Sequence, residues 1–380
     1  MTATLRTSLA WILIAALASI AAAQADDQRL DAWLRDSGFG PYAPEVEDWD
    51  AIYEAARAEP TLSVYMTSSR VGQAVDGFRE QYPGVDVEAV HVPAPEMLLR
   101  LDRERGAGIY SAGVVHADDP EQYLQHFGDE LVVYVPPEVQ PLIAEHHRDP
   151  ILIYRFLPTG WTYNPDVFSE APPLTNIWDL TTEEFRGRVV IPDPLTTGSS
   201  LTYLVSIVGE ADALAEAYQR KFGSPIELQE RDAGFEWLRR FLDNDVRAVP
   251  GTRDAAEAVT NASGLMVALN NYSRMREVPD RYNFAFVSGL DPVDMLNLPT
   301  HLSVMALTPS PNAAKLVMNY LLTLEGGAPW FAEGNPSPRT DWEPPEPWIE
   351  PLVDLSAWDV DYDHLLHTTD EVIDYWILFH

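Results

Sequence analysis

Short apolar runs alternate with helical patterns along the first part of the chain. Leu62–Met66 is a compact apolar run typical of a buried strand, and the spacing of apolar residues in Val71–Tyr82 predicts a helix. Val85–Val92 alternates as a strand does, Glu96–Arg105 has helical spacing, and Val114-Val115 closes a third strand. Strands and helices in this order predict βαβ units on a mostly parallel sheet.

A second series of elements begins near residue 151. Ile151–Phe156 and Trp161–Asn164 are extended, Arg188–Ile191 has the pattern of a strand, and a helix runs from Thr197 through Val208. A chain of 380 residues exceeds what one hydrophobic core usually serves, so we expect two α/β lobes. The remaining predicted elements are the helices Trp49–Ala58, Gly234–Leu242 and Asn312–Leu324 and the strands Val246–Val249, Leu265–Leu269, Phe284–Val287 and Ser303–Leu307.

The N-terminus has the three parts of a secretory signal. Arg6 supplies a positive charge, Leu9–Ala22 is apolar, and Ala23-Gln24-Ala25 fits the small-x-small rule for cleavage. The apolar run is shorter than the ~20 residues that a membrane span needs. We therefore predict a cleaved signal peptide at residues 1–25 and export of the mature protein to the periplasm.

Composition narrows the range of partners. The 59 Asp and Glu residues against 25 Lys and Arg residues give a net charge of −34, and Lys221 and Lys315 are the only lysines. Such a chain is repelled by nucleic acid and by anionic membrane surfaces, so neither is expected as a partner. The absence of cysteine excludes disulfides, thiolate nucleophiles and cysteine-ligated zinc.

The common enzyme signatures are missing from this sequence. It has no Gly-x-Ser-x-Gly elbow, His-Glu-x-x-His motif, phosphate loop or dinucleotide-binding glycine pattern, so we predict that the protein is not an enzyme. His364 and His367 share a helical face and could seat a metal, but such a pair is more typical of the surface of an acidic tail. The same holds for His146-His147. We expect no resident metal and no cofactor.

Small polar residues follow predicted strands in both halves of the chain. Ser68-Ser69-Arg70 comes after the first strand, and Thr197-Gly198-Ser199 opens a helix in the second half. Free N–H groups at a helix start bind anions, and this edge of an open α/β sheet is where ligands bind. The alternative is that Ser69 and Ser199 are only helix caps. The sequence leaves both interpretations open.

Four further groups complete the predicted ligand site. Asp118 and Asp119 end the third strand and could meet a cation or an ammonium group, or one of them could cap the next helix. Asn270-Asn271-Tyr272 follows a strand and offers amides and a phenol, or it caps a helix beside a core tyrosine. Trp161 could line a cleft or pack inside a lobe. Thr252-Arg253 starts another helix and could contribute a guanidinium.

In the order and spacing of their motifs, residues 60–340 resemble the bacterial ABC-transporter substrate-binding proteins of the ferric-iron type. No single motif carries this likeness, but the set together is specific. The matching segments are Leu62–Ser68 (LSVYMTS), Phe78–Val87 (FREQYPGVDV), Arg100–Val115, Trp161–Asn164 (WTYN), Trp178–Pro194 (WDLTTEEFRGRVVIPDP), Phe235–Gly251, Ala255–Tyr272, Asn312–Gly327 (NAAKLVMNYLLTLEGG) and Pro336–Asp341 (PSPRTD).

The resemblance implies an α/β fold of the two-lobed periplasmic binding protein (type II) class, with hinge strands and a ligand cleft between the lobes. We expect lobe 1 with an N-terminal extension at 26–158, lobe 2 at 159–287, and the return to lobe 1 with an acidic, Trp-rich C-terminal segment at 288–380. The implied partners are a small-molecule ligand and the permease and ATPase subunits of an ABC importer in the inner membrane. We expect a monomer.

Iron-binding members of the resembled family use a His after the first strand, a carboxylate after the third, and two adjacent tyrosines after an Asn-Asn pair. Here the first position falls among Thr67–Ser69, without a His, and Asp118 can stand for the carboxylate. Tyr272 matches one tyrosine, but Ser273 replaces the second. The resemblance therefore implies a site that has lost half of its phenolates, in which Asp118 and Tyr272 would hold iron if iron is bound after all.

The main prediction is a carrier for a small organic anion or zwitterion, such as a phosphonate, a phosphate ester or a carboxylate. By the same resemblance, Thr197-Gly198-Ser199 with Asn270 retains the anion-binding shelf of the family, and lobe closure would desolvate the ligand. An alternative is that the protein binds ferric iron with a synergistic anion. The sequence also leaves open a periplasmic sensor subunit or an enzyme on the same fold.

Overall fold

The computed structural model describes residues 27–380, without the side chains of residues 94 and 95. The predicted signal peptide at residues 1–25 lies outside the described residues. The strands are β1 (Leu62–Met66), β2 (Val87–His91), β3 (Ala112–Ala117), β4 (Leu131–Val132), β5 (Ile153–Tyr163), β6 (Val189–Pro192), β7 (Arg247–Val249), β8 (Val267–Asn271), β9 (Ala285–Phe286), β10 (Met295–Met305) and β11 (Ala357–Asp359). They form one mixed sheet, in the order β2-β1-β3-β10-β5-β8-β6-β7, with β4, β9 and β11 attached beside the two longest strands.

The α-helices lie on both sides of this sheet. They are α1 (residues 27–37), α2 (Trp49–Ala56), α3 (Val71–Gln81), α4 (Ala94–Gly106), α5 (Pro120–Phe127), α6 (Gly198–Gly209), α7 (Ala211–Phe222), α8 (Ala233–Leu242), α9 (Thr252–Thr260), α10 (Pro311–Leu321), α11 (Leu324–Phe331) and α12 (Tyr362–Phe379). None of these helices combines the length and the apolar content needed to cross a membrane.

The first lobe is built on the parallel strands β2, β1 and β3. All five residues of β1 are buried, as their continuous apolar run predicts for a strand covered on both faces. Val64 and Phe78 pack in one core with Leu316 of α10. Helix α10 thus returns to this lobe from late in the chain. The predictions of a strand at Leu62–Met66 and a helix from Val71 are confirmed.

The long antiparallel strands β5 and β10 connect the two halves of the sheet. They pair from Met295 opposite Gly160 to the start of β5, and β8 pairs with the other edge of β5. The sequence divided β5 into two segments because Pro158 and Gly160 interrupt its apolar pattern. Glycine is needed at 160, since a Cβ there would lie 2.8 Å from the carbonyl oxygen of Asp294.

The second lobe is built on β8, β6 and β7, again in parallel. Its core contains three fully buried tryptophans, Trp161, Trp178 and Trp237, beneath α6 and α8. The mixed α/β architecture therefore has separate hydrophobic cores in its two lobes on one continuous sheet, with β5 and β10 between them. This arrangement is the predicted fold class.

The C-terminal segment packs on the body of the protein through its aromatic residues. β11 pairs with β10, and Trp342, Trp348 and Ile349 surround Tyr272. Helix α12 packs against α6 and α8 of the second lobe and also reaches α5 of the first. Trp376 of α12 is only 3% exposed and lies in the core of the second lobe. Because α12 also contacts α5, it packs against both lobes.

Candidate functional site between the lobes

The start of α6 in the second lobe faces the end of β3 in the first. A Cβ placed on Gly198 would lie 3.5 Å from the carboxyl carbon of Asp119. Asp119 and Gln122 line one small crevice with residues 194–198, Leu201 and Ile373 of α12, and its volume is about 150 Å³. The structure therefore brings together the predicted site residues Asp119, Thr197 and Gly198 from opposite lobes.

Two buried carboxyl groups lie at this lobe boundary. Asp119 is 3% exposed, and burial together with the neighbouring Asp118 charge raises its pKa to about 7. Glu121 is equally buried, and neither of its carboxyl oxygens has a hydrogen-bond partner among the described residues. Burial is the main cause that raises the pKa of Glu121 to about 8, and the charge of Asp119 is the second. Sequence analysis missed Glu121, because nothing local marks it as buried.

The helix start itself matches the predicted anion shelf only in part. Thr197 occupies the N-cap position of α6, but its side chain makes no capping hydrogen bond. Ser199 is buried, so its hydroxyl lies on the inner side of the helix. Because the Asp119 carboxyl already lies beside the start of α6, an anionic group there would meet a neutral carboxyl below pH 7 and a like charge above it.

Four arginines form a second part of the site, which we call the arginine cluster. Arg70 and Arg276, from opposite lobes, both form ion pairs with Glu333. Arg155 of β5 pairs with Asp118 at 3.3 Å, and Arg274 pairs with Glu277 at 2.7 Å. Three carboxylates thus face four guanidinium groups, Arg70, Arg155, Arg274 and Arg276. This local excess of positive charge stands in a chain with a net charge of −34.

Arg155 is the most buried member of the arginine cluster. It is 3% exposed, and burial lowers its pKa while Asp118 acts in the opposite direction. Its Nε has no hydrogen-bond partner among residues 27–380. Of the four arginines the sequence identified Arg70 alone, although Arg155 could have been found as a charge inside the apolar run ILIYRFLP.

In the Asn-Asn-Tyr segment, the side chains of Asn270 and Tyr272 form hydrogen bonds within the fold. Tyr272 is 2% exposed, and its hydroxyl donates to the carbonyl oxygen of Trp348 at 3.2 Å. The two rings stack with centroids 6.1 Å apart, and burial raises the pKa of the Tyr272 phenol. Asn270 is buried and donates from Nδ2 to Thr162 Oγ1 at 2.8 Å, while Asn271 ends β8. The C-terminal segment therefore covers the phenol that matches an iron ligand.

Two other predicted site residues also serve as hydrogen-bond partners within the fold. The hydroxyl of Ser68 accepts from Trp330 Nε1 at 2.8 Å, while Ser69 is exposed beside it. Thr252 Oγ1 accepts from Arg274 Nε at 3.2 Å, and Arg253 is exposed on the same helix. Ser69 and Arg253 thus remain accessible on opposite lobes.

For Trp161 and His364 the structure decides between the alternatives that the sequence left open. Trp161 has no exposed surface, and its Nε1 donates to the hydroxyl of Tyr203 at 2.9 Å. It packs inside the second core and does not line the cleft, because β5 turns this face of the strand towards α6. In the His364/His367 pair, His364 Nε2 lies 3.1 Å from the carbonyl oxygen of Val205, so one imidazole serves helix packing.

The fold is that of a two-lobed binding protein whose lobes are joined by the long strands β5 and β10. Residues 110–359 match the model of the bacterial extracellular solute-binding protein family, and the chain belongs to that family. Members of this family are solute-binding components of ABC importers, which work with permease and ATPase subunits, and are not enzymes. No curated protein matches the chain in sequence.

Solved structures of ferric-binding proteins share the fold. Iron-bound HitA from Pseudomonas aeruginosa is 16% identical with a TM-score of 0.65, covering 83% of this chain and 97% of that one. The ferric binding protein from Campylobacter jejuni is 18% identical, with a TM-score of 0.63 and coverage of 84% and 99%. FutA from Trichodesmium, in complex with iron and citrate, is 15% identical, with a TM-score of 0.62 and coverage of 84% and 99%.

The predicted class is therefore confirmed: the protein is an extracellular solute-binding protein, and it shares its fold with ferric-binding proteins. The main prediction about its ligand, a phosphonate, phosphate ester or carboxylate, is not confirmed by these relatives.

Proposed function

We propose that the protein captures ferric iron together with a small organic anion, and delivers this complex from the periplasm to the membrane subunits of an ABC importer. The observation that carries the proposal is the arginine cluster at the hinge. A polycarboxylate such as citrate offers planar carboxylates, which arginine binds through paired hydrogen bonds. The arginines would therefore hold the anion, and the anion would supply most of the oxygen ligands of the iron.

The ion pairs of the site suggest how such a ligand could enter. Arg70 and Arg276 meet at Glu333, and Arg155 meets Asp118. A ligand carboxylate that replaces Asp118 beside Arg155 preserves the local charge balance and frees the Asp118 oxygens for the metal. Hard Fe³⁺ prefers anionic oxygen ligands. Asp118 is also the residue that matches the iron-binding carboxylate in the resembled family.

A second candidate is the metal-free anion, the main prediction from the sequence. It is favoured by Tyr272, whose phenol is buried, has a raised pKa and donates to Trp348. A phenol in this position resists the ionisation that iron ligation requires. Ser273 follows it where the second tyrosine would stand, and it offers only a hydroxyl. In this case the same arginines and the start of α6 would bind a phosphonate, phosphate ester or carboxylate.

Calorimetry and thermal melting with matched ligands separate the two candidates. Citrate, ferric citrate, inorganic phosphate and a phosphonate are each titrated into the purified protein. Iron capture predicts that ferric citrate binds at least tenfold more tightly than citrate and gives a coloured complex. Ligand at 100 times its Kd adds about 2.7 kcal/mol to the free energy of unfolding, which makes the melting shift easy to see. A colourless protein that binds citrate or a phosphonate equally well supports the metal-free anion, and a shift with polyamines alone refutes both.

Two arginines of the second lobe provide a matched pair of variants. Arg276→Gln removes a guanidinium from the arginine cluster, and a lost charge-assisted hydrogen bond of about 1.5–3 kcal/mol weakens anion binding about 10- to 100-fold. Arg247→Gln, on β7 of the same lobe and exposed to solvent, is the control and should bind as the unaltered protein does. Equal affinities of the two variants would contradict a role of the arginine cluster in capture.

A gain-of-function variant tests the iron ligands separately. Ser273→Tyr places a second phenol beside Tyr272, where iron-binding members of the family carry their tyrosine pair. If iron enters this cleft, the variant should bind ferric citrate more tightly and absorb visible light more strongly through phenolate-to-iron charge transfer. If the affinity for ferric citrate is unchanged while citrate alone binds well, the metal-free anion is the better interpretation.

A further inference from the structure

A metal-binding arrangement lies outside the ligand cleft, beside the hinge strands. His146, His147 and Asp359 each present one ligand atom, and these atoms lie within 4.8 Å of one another. The two histidines belong to a short helical turn that precedes β5, whereas Asp359 ends β11 in the C-terminal segment. The sequence predicted this histidine pair as a surface feature, because the aspartate is more than two hundred residues away.

The surroundings of the three side chains favour a preformed metal-binding site. His147 is 8% exposed, and its Nδ1 is buried without a hydrogen-bond partner among the described residues. Its ring packs edge-on against Phe156 of β5 at 5.2 Å, which limits rotation of the imidazole. Asn297 of β10 pairs with Asp359 in register and donates from Nδ2 to its Oδ1 at 3.1 Å. The carboxylate is thereby oriented by a neighbour, as in many metal centres.

We propose that His146, His147 and Asp359 bind a first-row divalent transition ion, with zinc as the best match. Two imidazoles and one carboxylate suit such ions better than calcium or magnesium, which prefer oxygen ligands. Ligand atoms about 2.1 Å from zinc lie about 3.4 Å apart in a tetrahedron, so small rotations of the exposed His146 and Asp359 complete the arrangement. A solvent molecule fills the fourth position.

The position of the site gives the metal a structural consequence. The histidines belong to the segment that leads into β5, and Asp359 is followed directly by α12, which packs on the second lobe. A bound ion therefore ties the start of a hinge strand to the C-terminal segment. Because binding to the folded state alone stabilises it, zinc should raise the melting temperature independently of any ligand in the cleft.

The test measures metal binding directly. Zinc is titrated into the metal-free protein by calorimetry, and Co²⁺ replaces it to report four-coordinate geometry through its visible absorption. The unaltered protein should bind one ion with micromolar or tighter affinity. His147→Ala and Asp359→Asn should each weaken binding at least tenfold and abolish the Co²⁺ band. His367→Ala, a histidine of α12 outside this group, is the control and should bind normally.

Two results would overturn the proposal. One is zinc affinity in His147→Ala equal to that of the unaltered protein, and the other is equal loss in the His367→Ala control. Because His147 is buried and its variant could lose stability, the exposed His146→Ala variant provides the same test with less risk to folding. Zinc binding that survives both histidine variants would place the ion on the acidic surface.

Discussion

The buried carboxyl of Glu121 makes the stability of this protein fall as pH rises from about 4.5 to about 8. In the folded chain its pKa rises from 4.5 to about 8, first through burial and then through the charge of Asp119. Between these pH values the folded state holds a proton that the unfolded chain releases, so stability falls as pH rises. Asp119, whose pKa rises from 3.8 to about 7, acts in the same direction.

The size of the effect follows from these values. At about 1.4 kcal/mol for each pH unit, a rise of the pKa from 4.5 to about 8 corresponds to at most about 5 kcal/mol above pH 8. Any rearrangement that lets water reach the carboxylate lowers this figure. Burial lowers the pKa of His116 and His301, so these histidines act in the opposite direction at pH values below 6.5. Comparison with a variant at each pH therefore isolates the contribution of the carboxyl.

Glu121→Gln removes the titration while keeping the shape of the side chain. Urea unfolding at pH 5, 7 and 9 should show the unaltered protein losing stability relative to the variant, by several kcal/mol between pH 5 and pH 9. The variant should lose less, and should be the more stable of the two at pH 9. Glu80→Gln, an exposed carboxyl in the same lobe, is the control and should follow the unaltered protein. If Glu121→Gln keeps the full pH slope, the buried carboxyl is not its cause.

Three further predictions concern packing and charge. Trp376→Ala should lower the free energy of unfolding, measured in urea, by about 3–5 kcal/mol, because this ring is buried in the core of the second lobe. The control Ile377→Ala alters an exposed side chain and should change the free energy of unfolding by less than about 0.5 kcal/mol. Gly234→Ala should lower the yield of folded protein, because its Cβ would overlap the carbonyl oxygen of Val208 and keep α8 away from α6. The control Gly72→Ala places its Cβ in open space and should keep or raise the melting temperature. Glu333→Gln should lower the melting temperature by leaving two arginines without their shared carboxylate, and added citrate or phosphate should restore it if the arginine cluster binds anions. A uniform response of variants and controls would contradict the corresponding argument.

Most elements of the first lobe could be predicted from the sequence. Leu62–Met66 and the helix from Val71 follow local apolar spacing, and the structure places them there. The prediction divided β5 into two segments and found only the end of β10, because a long hinge strand can contain Pro158, Gly160 or Pro299 when its neighbours accommodate them. Pairing partners far away in the chain decide such cases, and a local pattern does not contain them.

The candidate site was predicted less completely. Asp119 and Gly198 were identified separately, and the structure brings them together. Arg276 was missed, since a single arginine in a polar segment carries no signal until its partners are known. Arg155 was missed although it stands as a charge inside an apolar run. Trp161 was assigned to the cleft as one of two possibilities, and its buried hydrogen bond to Tyr203 makes it a core residue. Whether the predicted residues bind ligand stays a prediction that the variants above would test.

The sequence by itself determined the class of this protein. The order of short strands and helices predicts two α/β lobes, the motifs match a solute-binding family, and Ser273 marks the missing second tyrosine. Only the tertiary structure decided which charges meet, how Trp348 covers Tyr272, and that Asp359 reaches His147. The physical reason is that periodicity reports the burial of each residue along its own element, whereas the energy of a charge or a metal ligand depends on partners that folding brings from elsewhere in the chain.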